Sequence, residues 1–258
     1  LSGSPVAIAN QTAKTAIYYT PYLGNQVVFP NGTILSFAEI STDVPATTVT
    51  PFDIFAYSNN GTLTLTTLNW TSDTARATAL AYSNGLLVKS GDSTRLYLGT
   101  GRTTTVSGQT EDSLLRRFLW NYYNRVNRLM FEVDAAASWT YTTATYRQSN
   151  ANTGNKIEAV IGVSEDGILV QFQQAILAGG LITSSVNTGI GADSITVPSG
   201  QQSYVTGTML AGALATLETV PTIGYHYYAA LETSDGSSST FYAGAGNNRF
   251  QLTAILRG

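Results

Sequence analysis

The sequence contains no cysteine, which excludes disulfides, thiolate nucleophiles and cysteine-ligated metals and leaves the redox compartment open. Charge is scarce as well: Asp, Glu, Lys and Arg make up 11% of the 258 residues, against about a quarter in an average soluble chain. Lysine occurs only as Lys14, Lys89 and Lys156, and the net charge is −3. Recognition of a phosphate backbone needs a positive balance, so no nucleic-acid partner is expected. No apolar run approaches the roughly 18 residues of a membrane helix, and membrane insertion is not expected either. The chain opens at Leu1 with neither the basic nor the apolar segment of a signal peptide, so a trimmed or processed N-terminus is the expectation.

What is abundant is Thr, Ser, Gly, Asn and Tyr. A surface built of hydroxyls, amides and phenol rings stays soluble without charge and suits lectin-like or antibody-like contacts. At this length the chain fits one large β domain or two ordinary ones.

Apart from residues 1–15, which read as an irregular arm, the pattern is that of short strands. Ala16–Thr20, Asn25–Phe29 and Ile34–Ile40 are β-rich, the last two joined at Pro30-Asn31-Gly32. Phe52–Tyr57 meets Asn59-Asn60-Gly61 and alternates back through Thr62–Thr66. Arg76–Tyr82 meets Ser83-Asn84-Gly85 and returns through Leu86–Lys89. Asn-Gly supplies the left-handed conformations of a two-residue hairpin. Such turn signals recur about every ten residues, as in sandwiches and barrels.

The same signals continue through Ser138–Gln148, Lys156–Val163, Ile168–Gln173, Thr183–Val197, Gln202–Thr219, Gly224–Glu232, Thr240–Ala243 and Phe250–Leu256. Glu165-Asp166-Gly167 reads as a hairpin turn. The expected fold class is all-β, made of antiparallel β-sandwich or jelly-roll-like modules with little helix. Residues 1–108 form a small β domain and residues 109–258 a jelly-roll-like sandwich.

One stretch stands apart. Arg95–Glu132 carries six of the thirteen Lys and Arg residues among a concentration of aromatics. Leu114, Leu115, Phe118, Leu119, Tyr122, Tyr123, Val126, Leu129 and Met130 recur at helical spacing, and Thr110–Ser113 resembles a helix start. Phe118, Trp120 and Tyr122 also alternate as in a strand. Both assignments stay open for 113–130. Arginine forks bond carboxylates and stack on rings, so Arg116, Arg117, Phe118, Trp120, Tyr122, Tyr123, Arg125 and Arg128 form a candidate structural or intersubunit hub, with a ligand surface as the alternative.

Catalytic candidates are few. A glycosidase needs two carboxylates facing each other about 5–10 Å apart. Glu165/Asp166 and Asp235 occupy turn positions, and Glu111/Asp112 are adjacent, so they point to opposite sides of a strand. Glu132 and Asp134 share a face of an extended chain, where nearby arginines are expected to pair with them. His226, the single histidine, lies in Tyr225-His226-Tyr227-Tyr228 and reads as a hydrogen-bonded packing residue. A Gly-x-Ser-x-Gly elbow is missing, and Gly99-Thr100-Gly101 lacks the Gly-Lys-Ser/Thr of a phosphate loop. No catalytic residue, cofactor or metal is expected.

Several runs carry a family resemblance. Tyr97-Leu98-Gly99-Thr100, Gln109–Ser113 and Arg117–Val126 resemble a module of tailed-bacteriophage virion proteins, as do Asp53–Tyr57, Trp70–Arg76 and Asn84–Gly91 before them. Gly224–Tyr227 and Phe241–Ala243 are similar to the C-terminal sandwich of those proteins. The resemblance implies a non-enzymatic component of the particle surface: a homotrimeric fibre or spike that meets other virion proteins and a host-surface glycan or protein receptor. A head-decoration protein is the alternative, and a polysaccharide depolymerase acting through Glu132 or Asp134 is a third reading.

Overall fold

The computed structural model describes residues 9–179, 185–244 and 249–258. Strands make up 58% of the chain, and among the described residues no helix reaches seven residues.

In the first part, β1 (Gln11–Lys14), β2 (Ala16–Tyr19), β3 (Gln26–Val28), β4 (Ile34–Ser36) and β5 (Ile40–Asp43) are short, and β2–β5 and β3–β4 form separate ribbons. Residues 1–8 of the expected arm lie outside the described residues. Its remainder is not irregular throughout, because β1 pairs with a distant strand. Next come β6 (Pro51–Asn59), β7 (Thr62–Asn69), β8 (Leu80–Ser83), β9 (Leu86–Lys89) and β10 (Asp92–Arg102), in the order β7-β6-β10-β9-β8. Two of the turns follow directly from residue type: Asn60-Gly61 and Asn84-Gly85 all have positive φ, as a twisted two-residue hairpin requires.

The connecting stretch contains β11 (Thr110–Asp112), β12 (Arg116–Arg117), β13 (Leu119–Asn121) and β14 (Asn127–Glu132). Of the two assignments open for 113–130, the extended one is found. The helical spacing is not used as one face: Phe118 and Trp120 are buried, whereas Leu114, Tyr123 and Leu129 are exposed. Each short strand instead takes its hydrogen bonds from a different remote partner. β12 runs parallel to a later strand, β13 adds to β10, and β14 joins the sandwich.

The second part contains β15 (Ser138–Tyr141), β16 (Arg147–Gln148), β17 (Lys156–Ile161), β18 (Ile168–Leu177), β19 (Ser185–Ala192), β20 (Ser199–Thr206), β21 (Leu210–Thr219), β22 (Gly224–Thr233), β23 (Ser239–Tyr242) and β24 (Phe250–Arg257). Ser138–Gln148 is thus two strands, paired with β23 and β22 respectively. Of the stretch expected from Thr183, residues 183 and 184 lie outside the described residues.

Eight of these strands make two packed sheets, β14-β24-β18-β21 and β17-β22-β19-β20. The chain passes between the sheets at every step except β19 to β20, which is the strand order of an eight-stranded jelly roll. Glu165-Asp166-Gly167 is therefore not a hairpin turn. It carries the chain from β17 in one sheet to β18 in the other, and the two strands do not pair. Inward side chains of both sheets fill the space between them, with Ile157, Ala159 and Ile161 meeting Met130, Val170, Phe172 and Leu252.

The six-stranded sheet of the first part has two covered faces. The ribbons pack on one through Ile17, Val27, Phe29 and Val44. On the other, Phe55, Leu87 and Tyr97 meet Trp120 and Val160, and Val160 is an outward residue of β17. The two parts are thus joined sheet to sheet, with the Arg95–Glu132 stretch running through the seam.

Candidate functional site

The eight candidate hub residues divide between two ends of this seam. At one end β11 and β12 extend the sandwich sheet. Arg116 Nε donates to Glu158 Oε2 at 2.6 Å and its Nη1 to Glu111 Oε2 at 3.0 Å, while Ser113 Oγ donates to the other Glu111 oxygen at 2.7 Å. On the opposite side of the same short strands, Asp112 holds Arg117 at 3.1 Å and also pairs with Arg128. A second Arg117 nitrogen donates to the Leu129 carbonyl at 2.6 Å. Burial, with the Arg128 charge adding to it, pushes the Arg117 guanidinium below its ordinary pKa despite Asp112.

At the other end Trp120 is buried against Val160, and Arg125 closes over it with its guanidinium 4.8 Å from the Trp120 ring and 4.9 Å from the Tyr122 ring. The same guanidinium bonds Glu165 at 2.6 Å and Asp166 at 2.7 Å, both in the β17–β18 crossover. Tyr122 packs edge-on against Tyr123 at 5.0 Å and lies 5.7 Å from Tyr97. Phe118 is buried, with Arg102 5.4 Å from its ring. Tyr123 remains exposed.

Residues outside that set complete the seam. Arg76 stacks 4.5 Å from Trp70, bonds Asp53 at 2.8 Å and reaches across to the Gly162 carbonyl at 2.5 Å. Burial raises the Asp53 carboxyl above its usual range, against the pull of Arg76. Arg102 pairs with Asp73 at 3.1 Å and lies 3.7 Å from the Tyr225 ring, and Tyr225 in turn donates to Glu158. The sequence signal available for these residues is a general one: in a chain this poor in charge, an arginine beside Trp, Tyr or Asp is a candidate for burial.

The carboxylates weighed for catalysis are arranged for support. Asp134 accepts hydrogen bonds from Ala136 N–H and from the side-chain amides of Asn150, Asn152 and Asn155. The expected arginine partners are replaced by asparagines because the 148–155 loop folds over this residue. Two of these amides have a second contact that fixes their orientation: Asn152 Oδ1 accepts from Gly154 N–H at 2.9 Å, and Asn155 Nδ2 donates to the Ser149 carbonyl at 2.9 Å. Glu132, at the end of β14, has no such partners. Burial first, and then the nearby Asp134 charge, push its carboxyl up to about 7.

Glu232 is fully buried and receives Trp139 Nε1 at 2.7 Å and Arg147 at 2.8 Å. His226 bonds Asp193 through Nδ1 at 2.7 Å and the Thr222 carbonyl through Nε2 at 2.9 Å. With an acceptor at each nitrogen, the ring suits the doubly protonated state and cannot serve Thr222 as a base. Among the described residues no group of three or more His, Asp or Glu is placed to hold a metal ion.

A cleft of about 480 Å³ lies between the β1–β2 segment and the seam, lined in part by Lys14, Tyr18, Asn121, Asn124 and Arg128. Arg128 is already engaged by Asp112 there, and Asn121 Oδ1 accepts the backbone N–H of Tyr123 and Asn124.

No protein-family profile and no curated protein matches this chain. Among solved structures it aligns with the insecticidal delta-endotoxin Cry8Ea1 of Bacillus thuringiensis at 7% identity and a TM-score of 0.30, covering 96% of this chain and 53% of the toxin. A Cry1Da tryptic core variant of Bacillus thuringiensis aligns at 7% identity and a TM-score of 0.25, with coverage of 96% and 51%. The infectious bursal disease virus VP2 subviral particle aligns at 11% and 0.25, with coverage of 96% and 76%. The chain thus spans about half the length of the two toxins, and likeness at these scores carries no argument about function.

Proposed function

We propose that this chain is a non-enzymatic structural component of a tailed-bacteriophage virion that works by surface contact. The observation that carries this reading is the use made of its charge. The arginines of Arg116–Arg128 bond carboxylates and carbonyls of the same chain, and Arg125, stacked on Trp120 of the first sheet, ties it to Glu165 and Asp166 of the sandwich. Asp134, one of the two carboxylates named for a depolymerase reading beside Glu132, is bonded to four internal donors, which counts against a facing catalytic pair. A jelly roll with a filled interior acts through its outside, as such domains do in viral capsids and lectins.

A homotrimeric fibre or spike touching the host surface is one position that fits. A head-decoration subunit is the other, and the exposed apolar row Leu129, Ile255 and Leu169 favours either arrangement in which a neighbour covers one face. Cryo-electron microscopy of the particle, paired with adsorption rates of particles lacking the protein, separates the two. Density on a fibre together with slowed adsorption fits the first, and density on the head lattice with normal adsorption fits the second. Absence of the protein from purified particles overturns both.

A further inference from the structure

We infer that the outer face of the β14-β24-β18-β21 sheet is an interface with a second copy of this chain. The inference rests on reading the chain as an assembling structural protein, but its argument comes from the two sheets themselves. The outer face of the β17 sheet is covered, at Val160, by the six-stranded sheet of the first part. No described element packs on the corresponding face of the β14 sheet.

Register makes that face continuous. Leu129 is directly opposite Ile255, Ile255 is opposite Leu169, and Leu169 is opposite Glu218. Directly opposed residues point to the same side of a sheet, so three large apolar side chains form one row across three strands. All three are exposed, at 51%, 46% and 38%. The next row toward the middle of the sheet, Phe131, Thr253, Gln171 and Thr216, is uncharged, and Leu214 lies exposed beyond it.

The identity of the occupant follows from the charge. A basic or acidic partner finds no complementary patch between these strands. An identical face, by contrast, meets its copy without opposing like charges. At the rim, Arg257 lies 3.7 Å from Asp166 of its own chain at one corner and Glu218 stands at another, and groups so placed set orientation more than affinity. A four-stranded face about eight residues long spans on the order of 500 Å², a large part of the roughly 800 Å² per partner that a stable interface buries. Apolar rows of this kind mark contact sites on soluble proteins.

The test is the solution mass of the whole chain by light scattering at about 100 µM. A species at a multiple of 27.4 kDa is expected. Leu169→Glu and Ile255→Glu should each weaken association at least tenfold and return the mass toward 27.4 kDa. Gln171→Lys and Thr216→Lys place like charges at polar positions of the same face, where no repacking is required, and should do the same if the glutamate variants misfold. A wild-type monomer overturns the inference, and so do folded lysine variants that associate normally. Neither result depends on whether the protein is found in phage particles, so failure here is distinct from failure of the proposed function.

Discussion

Gly162 lies so close under the ring of Trp120 that a Cβ added to it would stand 2.3 Å from Trp120 Cε3, and equally 2.3 Å from the Tyr97 hydroxyl. Its backbone conformation is open to any residue, so the constraint is one of space. Gly162→Ala should destabilise by about 1–3 kcal/mol through overpacking, and Trp120→Ala by about 3–5 kcal/mol through the lost ring and the cavity left behind. The two changes share one volume, so in urea unfolding the alanine at 162 should cost clearly less when Trp120 is already gone. Additive costs would mean that the contact is not made.

Among the described residues Asp112 is the carboxylate shared by two guanidiniums, the buried Arg117 and the partly buried Arg128. Asp112→Asn keeps the shape and removes the charge. The expected loss is roughly 3–5 kcal/mol, the usual cost of leaving a buried ion without its partner. Arg116→Lys, at a more exposed bidentate site, should cost distinctly less. Equal costs would show that the Asp112 cluster is not the tighter of the two.

How much of this was legible in the sequence depends on how local each determinant is. The Asn60-Gly61 and Asn84-Gly85 hairpins were readable because a two-residue turn needs left-handed conformations at those very positions. Glu165-Asp166-Gly167 has similar turn chemistry between two apolar strands, yet it leads to the opposite sheet, and nothing within it records which sheet comes next. The Phe118–Trp120 alternation pointed to a strand, but the partners of Trp120, Val160 and Gly162, lie some forty residues further along the chain. The concentration of arginine and aromatics in Arg95–Glu132 marked a candidate hub, while the asparagine cradle of Asp134 followed no charge pattern at all.

The His226–Asp193 pair gives stability a defined pH dependence. Burial opposes the imidazolium, but the hydrogen bond and charge of Asp193 together with the Thr222 carbonyl outweigh it, and the His226 pKa is raised. A raised folded pKa means that the contribution is fully present below the unfolded value of about 6.5 and fades as pH rises through the folded one. Asp193 is depressed: burial opposes ionisation, but the bonds from His226 and from Tyr227 N–H prevail, so its contribution is lost only in acid. Urea midpoints should fall between pH 6 and 8 in the wild type and change less in His226→Gln. A variant that loses the same amount over that range would remove His226 as the cause.

Glu132 adds to the same slope for a different reason. With its carboxyl pushed up to about 7 by burial and by Asp134, the folded protein holds a proton that the unfolded chain releases near 4.5. Stability is therefore greatest below that value and declines as pH rises to about 7. Glu132→Gln, permanently neutral, should raise the midpoint of thermal unfolding at pH 8 and leave it nearly unchanged at pH 4. An unchanged midpoint at pH 8 would mean that Glu132 ionises freely in the native protein.

The pairing of β13 with β10, and of β1 with β11, has a consequence for synthesis on the ribosome. The first part leaves the exit tunnel with one side of β10 open at Gly99–Gly101, and that side is closed only after Leu119–Asn121 has been made. β1 waits even longer along the chain for Thr110–Asp112. An unpaired edge in a nascent chain is a template for a wrong neighbour, most dangerous when several ribosomes follow one another on a message. The sparse charge that suits the finished surface offers little protection in that interval, so the brief delay between residues 102 and 121 is where translation speed has most influence on yield.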